Sequence, residues 1–296
     1  MLFQKLKIWV IAARPKTLPA VIAPVMVGLA FAWREGHFAA IPAVLTVLTA
    51  LLIQIGTNFV NDYFDFIKGA DGPGRIGPLR VMQAGMVSES RMRMGIFAVF
   101  FLASILALPL IARAGWPILV IGSISILLAF AYTAGPWPLA YFGMGDIFVL
   151  IFFGPVAVAG TYYVQAGTVS PAVLLAGLPM GLLSMAILTV NNLRDIDTDT
   201  RAGKRTLAVR FGRNFSRFEY IFSLAGSTAI FLLFALLFQF RIYLTALLCG
   251  YIVFFAVRHS RVLMTSQDGH SLNALLAATG KLTLFYGLAF TLCLLL

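Results

Sequence analysis

Nine stretches of this sequence are apolar for about the length of a bilayer crossing: roughly 17–34, 40–60, 94–113, 116–133, 146–165, 170–190, 218–238, 242–258 and 276–296. A helix needs about 20 mostly apolar residues to cross the hydrocarbon core. Inside that core only helices and closed barrels satisfy their own backbone groups. Apolar runs this long and this frequent leave one expected fold class, an all-α membrane protein. Composition agrees, with 60% hydrophobic residues, 11% charged residues and a mean hydropathy of +0.94. A soluble domain carries about 25% charged residues. An ordinary cytosolic enzyme, a disordered chain and a disulfide scaffold are therefore excluded. Cys249 and Cys293 both lie in apolar runs, so neither a disulfide nor a cysteine metal site is expected. The reading is a single polytopic bundle over residues 1–296 with about nine transmembrane helices. Residues 1–16, where Leu2, Phe3, Leu6, Ile8 and Trp9 alternate with Lys5 and Lys7, read as an amphipathic segment lying on the membrane surface.

The net charge of +11 is spread over short segments between the spans, not over a soluble face. No nucleic-acid surface is therefore expected. If alternate loops share a side, one side carries 18 cations and the other only Arg34, Arg113 and Arg241. The positive-inside rule then places the N-terminus in the cytoplasm and the C-terminus outside.

The acids are scarcer and more informative. Six of the 11 lie in two clusters, Asp62, Asp65, Asp71 and Asp195, Asp197, Asp199, at the ends of the second and sixth spans. A shift of 133 positions maps Asn58 onto Asn191, Asp62 onto Asp195 and Lys68 onto Arg201, as if two helix ends served one task. Residues three and four apart share a helix face. Asn58, Asp62 and Asp65 therefore point one way, as do Asn191 or Asn192, Asp195 and Asp199, with Asp197 elsewhere. One such loop would ordinarily be a solvated helix end. Two at matching depth, holding over half the acids of an acid-poor chain, predict a divalent cation held by oxygen ligands. Lys68, Arg75 and Arg80 follow the first cluster, and Arg201, Lys204 and Arg205 the second. Metal-binding acids ringed by cations suit a diphosphate. A cation-coupled transporter would place its ionisable groups nearer the bilayer midplane. A CDP-alcohol phosphotransferase would need an Asp-Gly-x-x-Ala-Arg run, which Asp71-Gly72-Pro73-Gly74 does not supply.

With these motifs the chain resembles the membrane-embedded aromatic prenyltransferases. Asn58, Asp62 and Asp65 match that superfamily's Asn-x-x-x-Asp-x-x-Asp signature, and Asp195 and Asp199 match its Asp-x-x-x-Asp signature. Three segments are most similar to the branch that prenylates 1,4-dihydroxy-2-naphthoate for menaquinone: 13–19, 61–81 and 191–207. Gly69 and the cation-free run after Tyr132 depart from the hydroxybenzoate branch. Hydroxybenzoate, homogentisate or haem as acceptor, and an ion-coupled transporter, stand as alternatives.

The resemblance implies Mg2+-dependent transfer of a polyprenyl group from polyprenyl diphosphate to the naphthoate ring, with loss of CO2. It implies Asp62 and Asp65 on one Mg2+ and Asp195 and Asp199 on a second, with Asn58 and Asn192 assisting. Lys68, Arg201 and Lys204 would contact the diphosphate, and Asp71 or Arg80 would orient the acceptor. Tyr132 has two readings, stabilising the allylic cation through its ring or belonging to the interfacial aromatic belt. The Gly- and Pro-rich loop 69–90 is either a lid or an ordered connector. The expected site is a bacterial inner membrane, with the reaction centre facing the cytoplasm.

Overall fold

The computed structural model describes residues 2–69, 77–135, 138–266 and 268–296, with side chains from Leu6 onward. Asp71 and Arg75 fall outside the described residues. Among those described, every regular element is helical. In order these are α1 (Leu2–Ala13), a 3-10 turn (Pro15–Thr17), α2 (Pro19–Arg34), α3 (Ala40–Ile67), α4 (Glu89–Ala114) and α5 (Trp116–Ala131). There follow α6 (Gly145–Ile151), a π-helical stretch (Phe152–Val156), α7 (Ala157–Ala166), α8 (Pro171–Arg194) and α9 (Ile196–Arg201). The chain closes with α10 (Leu207–Leu237), α11 (Ile242–Thr265) and α12 (Gly269–Leu295).

Each of the nine apolar stretches falls on a helix, and the protein is an integral membrane protein. Among the described residues, seven helical spans are long and apolar enough to cross a bilayer, and Leu6–Thr17 with Pro19–Arg34, bent by 60° between them, counts as an eighth. The difference from nine lies in α5, whose 16 residues rise only about 24 Å at 1.5 Å each. The boundary between the third and fourth stretches is real: Gly115, at φ 80°, closes α4 and opens α5.

Local chemistry sets several helix starts. Ser170 accepts from the Val173 amide ahead of Pro171, Thr206 from the Val209 amide, and Asp268 from the Ser271 amide. Each caps an amide that the first turn leaves unpaired. The helices then divide by depth. In α8, 78% of the best apolar window is buried inside the protein, against 22% for α3, α4 and α11. α8 is therefore the hub, packed by α2, α6, α7, α10 and α12, and its C-terminal end carries the second acidic motif. A second, smaller core joins α1, α3 and α4 around Trp9, Phe59, Met92 and Phe100. α1 thus buries Ala12 and packs Trp9 on Phe59 at 5.2 Å, while Leu6 and Val10 stay exposed.

Candidate active site

The two acidic motifs meet across one polar cavity of about 480 Å3. α3 contributes Asn58 and Asp65 from its last turns; α8, Asp195 and α9 contribute Asn192, Asp195 and Asp199. Arg80, Tyr132 and Lys204 complete the set. Three residues expected in the site do not line this cavity. Lys68 donates to the Thr133 carbonyl at 2.7 Å and lies 4.8 Å from the Tyr141 ring centre. Arg201 is exposed and donates to the Asp197 carbonyl at 3.2 Å. The cause is the turn of α9, which faces Asp199 inward and so sends Asp197 and Arg201 outward. Asp62 is buried and accepts the Val81 amide at 3.2 Å, which ties the segment around Val81 to α3. That segment is packed down, with Val81 and Met82 buried.

Asn58 has a bracing task. Its amide donates to the Ala13 carbonyl at 2.9 Å and to Thr17 Oγ1 at 3.1 Å, so α3 holds both ends of the bend between α1 and α2. Arg14, inside that bend, takes a left-handed φ of 50° that non-glycine residues seldom adopt.

Each acid that lines the cavity has a base beside it. Asp65 Oδ2 accepts from Arg80 Nη2 at 2.8 Å, and Asp65 Oδ1 from Lys204 Nζ at 3.2 Å. The same ammonium lies 3.7 Å from Asp199 Oδ1, so one lysine spans the two motifs. Burial pushes the Asp199 carboxyl up to about 6; Lys204 opposes the rise, and the Asp195 and Asp65 charges add to it. Burial alone would lower the Lys204 ammonium, but Asp65 and Asp199 outweigh it and hold the group above its ordinary value. Lys68 moves the other way, lowered by burial against the attraction of Asp65.

Asp65, Asp195, Asp199 and the Asn amides form an oxygen-only donor set, the chemistry Mg2+ prefers. Among the described residues no three carboxylate, histidine or cysteine groups converge closely enough to hold an ion alone. A metal in this donor set would be bound through one or two carboxylates, with substrate phosphate completing its shell.

Arg194 is the residue that sequence reading passed over as a topology charge. It is buried at the end of α8 and grips Asp195 through both oxygens, at 2.8 and 2.5 Å. It also reaches Asn191 Oδ1 and, on α12, Asn273 Oδ1, both at 2.8 Å. The available signal was an arginine three residues after Asn191 and one before Asp195, at the end of a long apolar helix. Breaking a buried ion pair costs about 3–5 kcal/mol. Arg194→Leu is expected to destabilise the protein by about that much, read as a fall in Tm in detergent. Arg194→Lys should recover little, since an ammonium cannot reproduce the fork.

A second cavity, about 240 Å3 and walled mostly by apolar side chains, runs between α2, α3, α5 and the α6–α7 stretch. Gln54, Tyr132, Val149 and Phe153 line both cavities, so the polar chamber and the apolar channel adjoin there. Thr133 hydrogen-bonds Asn61 of α3, which fixes the turn carrying Tyr132.

Similarity to known proteins agrees with this arrangement. The chain is 39% identical to the 1,4-dihydroxy-2-naphthoate octaprenyltransferase of Escherichia coli, over 96% of this chain and 94% of that protein. It is 37% identical to the enzyme of the same name from Haemophilus influenzae, over 100% of this chain and 98% of that one. Its fold matches a UbiA homologue from Archaeoglobus fulgidus bound to DMAPP and Mg2+, with a TM-score of 0.64 at 16% identity, covering 96% and 98% of the two chains. The UbiA prenyltransferase family model matches residues 21–277, nearly the whole bundle, and the chain belongs to that family.

Proposed function

We propose that this protein transfers a polyprenyl group from polyprenyl diphosphate to 1,4-dihydroxy-2-naphthoate with loss of CO2, giving demethylmenaquinone, formed as its quinol, in menaquinone biosynthesis. The observation that carries the reading is the junction of the two cavities. A polar chamber with paired acids and cations suits the diphosphate, and the adjoining apolar channel suits the hydrocarbon tail. The relatives' shared name supplies the acceptor.

In the reaction the allylic C–O bond breaks and its electron pair leaves with the diphosphate. The ring carbon bearing the carboxylate forms the new C–C bond. The carboxylate departs as CO2, leaving its pair to restore aromaticity. Asp65 and Asp199 are the proposed Mg2+ ligands, with Asp195 beside them and Asn192 assisting. Bound Mg2+ would neutralise charge on the leaving diphosphate. Lys204 and Arg80 are the cations that contact the diphosphate. Asp62 holds the Val81 segment, and Arg80 with it, against α3. Tyr132, which lines both cavities, would stabilise the allylic cation through its ring, with the apolar wall excluding water. The 18-to-3 cation asymmetry supports a reaction centre on the cytoplasmic side of a bacterial inner membrane, with the whole chain acting as one unit.

The test offers isolated membranes a labelled polyprenyl diphosphate with Mg2+ and one of two acceptors. Prenylated naphthoquinone with CO2 release is expected from 1,4-dihydroxy-2-naphthoate. Product from 4-hydroxybenzoate alone would overturn the acceptor while keeping the reaction class. No Mg2+-dependent product from either would sink the reading.

A further inference from the structure

Each of the three carboxylates that line the cavity is paired with or lies near a base. Asp65 is held by Arg80 and Lys204, Asp195 by Arg194, and Asp199 lies near Lys204, so three acids face three bases. Lys204 is the one that bridges the two motifs, from 3.2 Å at Asp65 to 3.7 Å at Asp199. Its backbone is fixed on both sides. The Lys204 amide donates to the Asp199 carbonyl at 2.9 Å, and the Arg205 amide to the Tyr141 carbonyl at 3.1 Å. Gly203, at φ 72°, makes that turn possible. Only the side chain is left to pivot, and its ammonium lies 5.5 Å from the Tyr141 ring, which Lys68 approaches at 4.8 Å.

We propose that Lys204 occupies the divalent cation's place between Asp65 and Asp199 in the substrate-free protein, so that the metal enters together with the diphosphate that draws the lysine away. The inference rests on Asp65 and Asp199 being the metal's ligands.

Two physical facts favour it. Mg2+ demands oxygens at about 2.0–2.1 Å, and a point 3.2 and 3.7 Å from the two carboxylates is spaced for an ammonium. Phosphate oxygens would make up the missing coordination. A diphosphate also brings its own negative charge. The lysine can then leave the carboxylates for the phosphate, and the metal can take its place, without an unpaired charge at any stage. The reciprocal statement holds by linkage: whatever factor the diphosphate adds to metal affinity, the metal adds to diphosphate affinity.

The experiment measures Mn2+ binding to the purified full-length protein in detergent, by the paramagnetic resonance signal of free Mn2+, with and without inorganic pyrophosphate. Wild type should bind Mn2+ alone weakly, and its Tm should barely respond to it. Lys204→Met should bind Mn2+ alone about tenfold more tightly, because the competing charge is gone. Its Tm should fall without metal, as Asp65 and Asp199 repel, and Mn2+ should restore it. Lys204→Arg should behave as wild type. If Lys204→Met cannot be purified without metal, it is prepared in Mn2+ and the metal is then chelated; unfolding on chelation supports the proposal, and an unchanged Tm overturns it. Lys204→Met binding Mn2+ no better than wild type, while Asp65→Asn still abolishes pyrophosphate-dependent Mn2+ binding, would overturn the competition and leave the metal site standing. Pyrophosphate-dependent Mn2+ binding unaffected by both Asp65→Asn and Asp199→Asn would overturn the ligand assignment and this inference with it.

Discussion

Asp65→Asn is expected to lower kcat/KM by about a thousandfold or more, the upper end of what one preorganised charged group supplies to a transition state. Asp65 is the side chain on which the site converges. It is buried, its two oxygens hold Arg80 and Lys204, and it faces Asp199 across the cavity. The amide keeps its shape and loses its charge. Both its proposed metal-binding role and its hold on two cations would therefore fail together. Stability suffers as well, since Arg80 is buried and loses a charged partner, a change worth about 3–5 kcal/mol for a buried pair. The two effects separate in a double variant. Asp65→Asn with Arg80→Met removes both charges of that pair, so Tm should recover while activity does not. The measurements are steady-state kinetics in membranes and Tm in detergent. Recovery of activity in the double variant would show that Asp65 acts only by neutralising Arg80.

Gly181→Val is expected to cost about 3 kcal/mol or more, the high end for overpacking. A Cβ at Gly181 would lie 2.1 Å from the Leu150 carbonyl oxygen, and one at Gly177 would lie 2.5 Å from Pro155 Cα. Both obstacles are backbone, so neither can swing aside. The seam exists because the α6–α7 stretch breaks into a π turn at Phe152–Val156, with Gly154 at φ −111° and ψ −110°. That kinked backbone lies directly on α8. Without a hydrophobic drive between helices in lipid, such small-residue contacts decide which faces meet. The same seam places Phe152 and Phe153, which wall the apolar channel, against the helix that carries Asn192 and leads into Asp195. Activity should therefore fall with stability. Gly250→Ala is the control: nothing lies within 4 Å of that Cβ, so Tm should hold or rise slightly. A Gly181→Val protein melting with the wild type would mean that the two helices are not in backbone contact.

The site was legible in the sequence where the signal is local. Asn58 and Asp65 share a face of α3, and Asp199 faces inward while Asp197 faces out, as a period of 3.6 requires. The same reasoning did not show that Lys68 and Arg201 turn away from the cavity wall. Distance along the chain from an acid does not say which way a cation turns once the helix has ended. Asp62 illustrates a different limit. It shares the motif face, yet one of its oxygens takes the Val81 amide, a partner 19 residues away.

The sequence by itself determined that the chain spans a membrane, where its helices run, and that two acid-bearing helix ends matter. Those properties depend on hydropathy and on neighbours within a turn. Only the tertiary structure decided that Lys204 joins motifs from different helices, that Arg194 ties Asp195 to Asn273, and that Tyr132 stands between two cavities. The physical reason lies in the solvent. A helix in water marks its buried face by being apolar there and polar elsewhere. A helix in lipid is apolar on nearly every face, so its pattern does not say which side meets the protein. Backbone contact at glycines and a few buried polar pairs make that choice, and their partners lie far away in the chain.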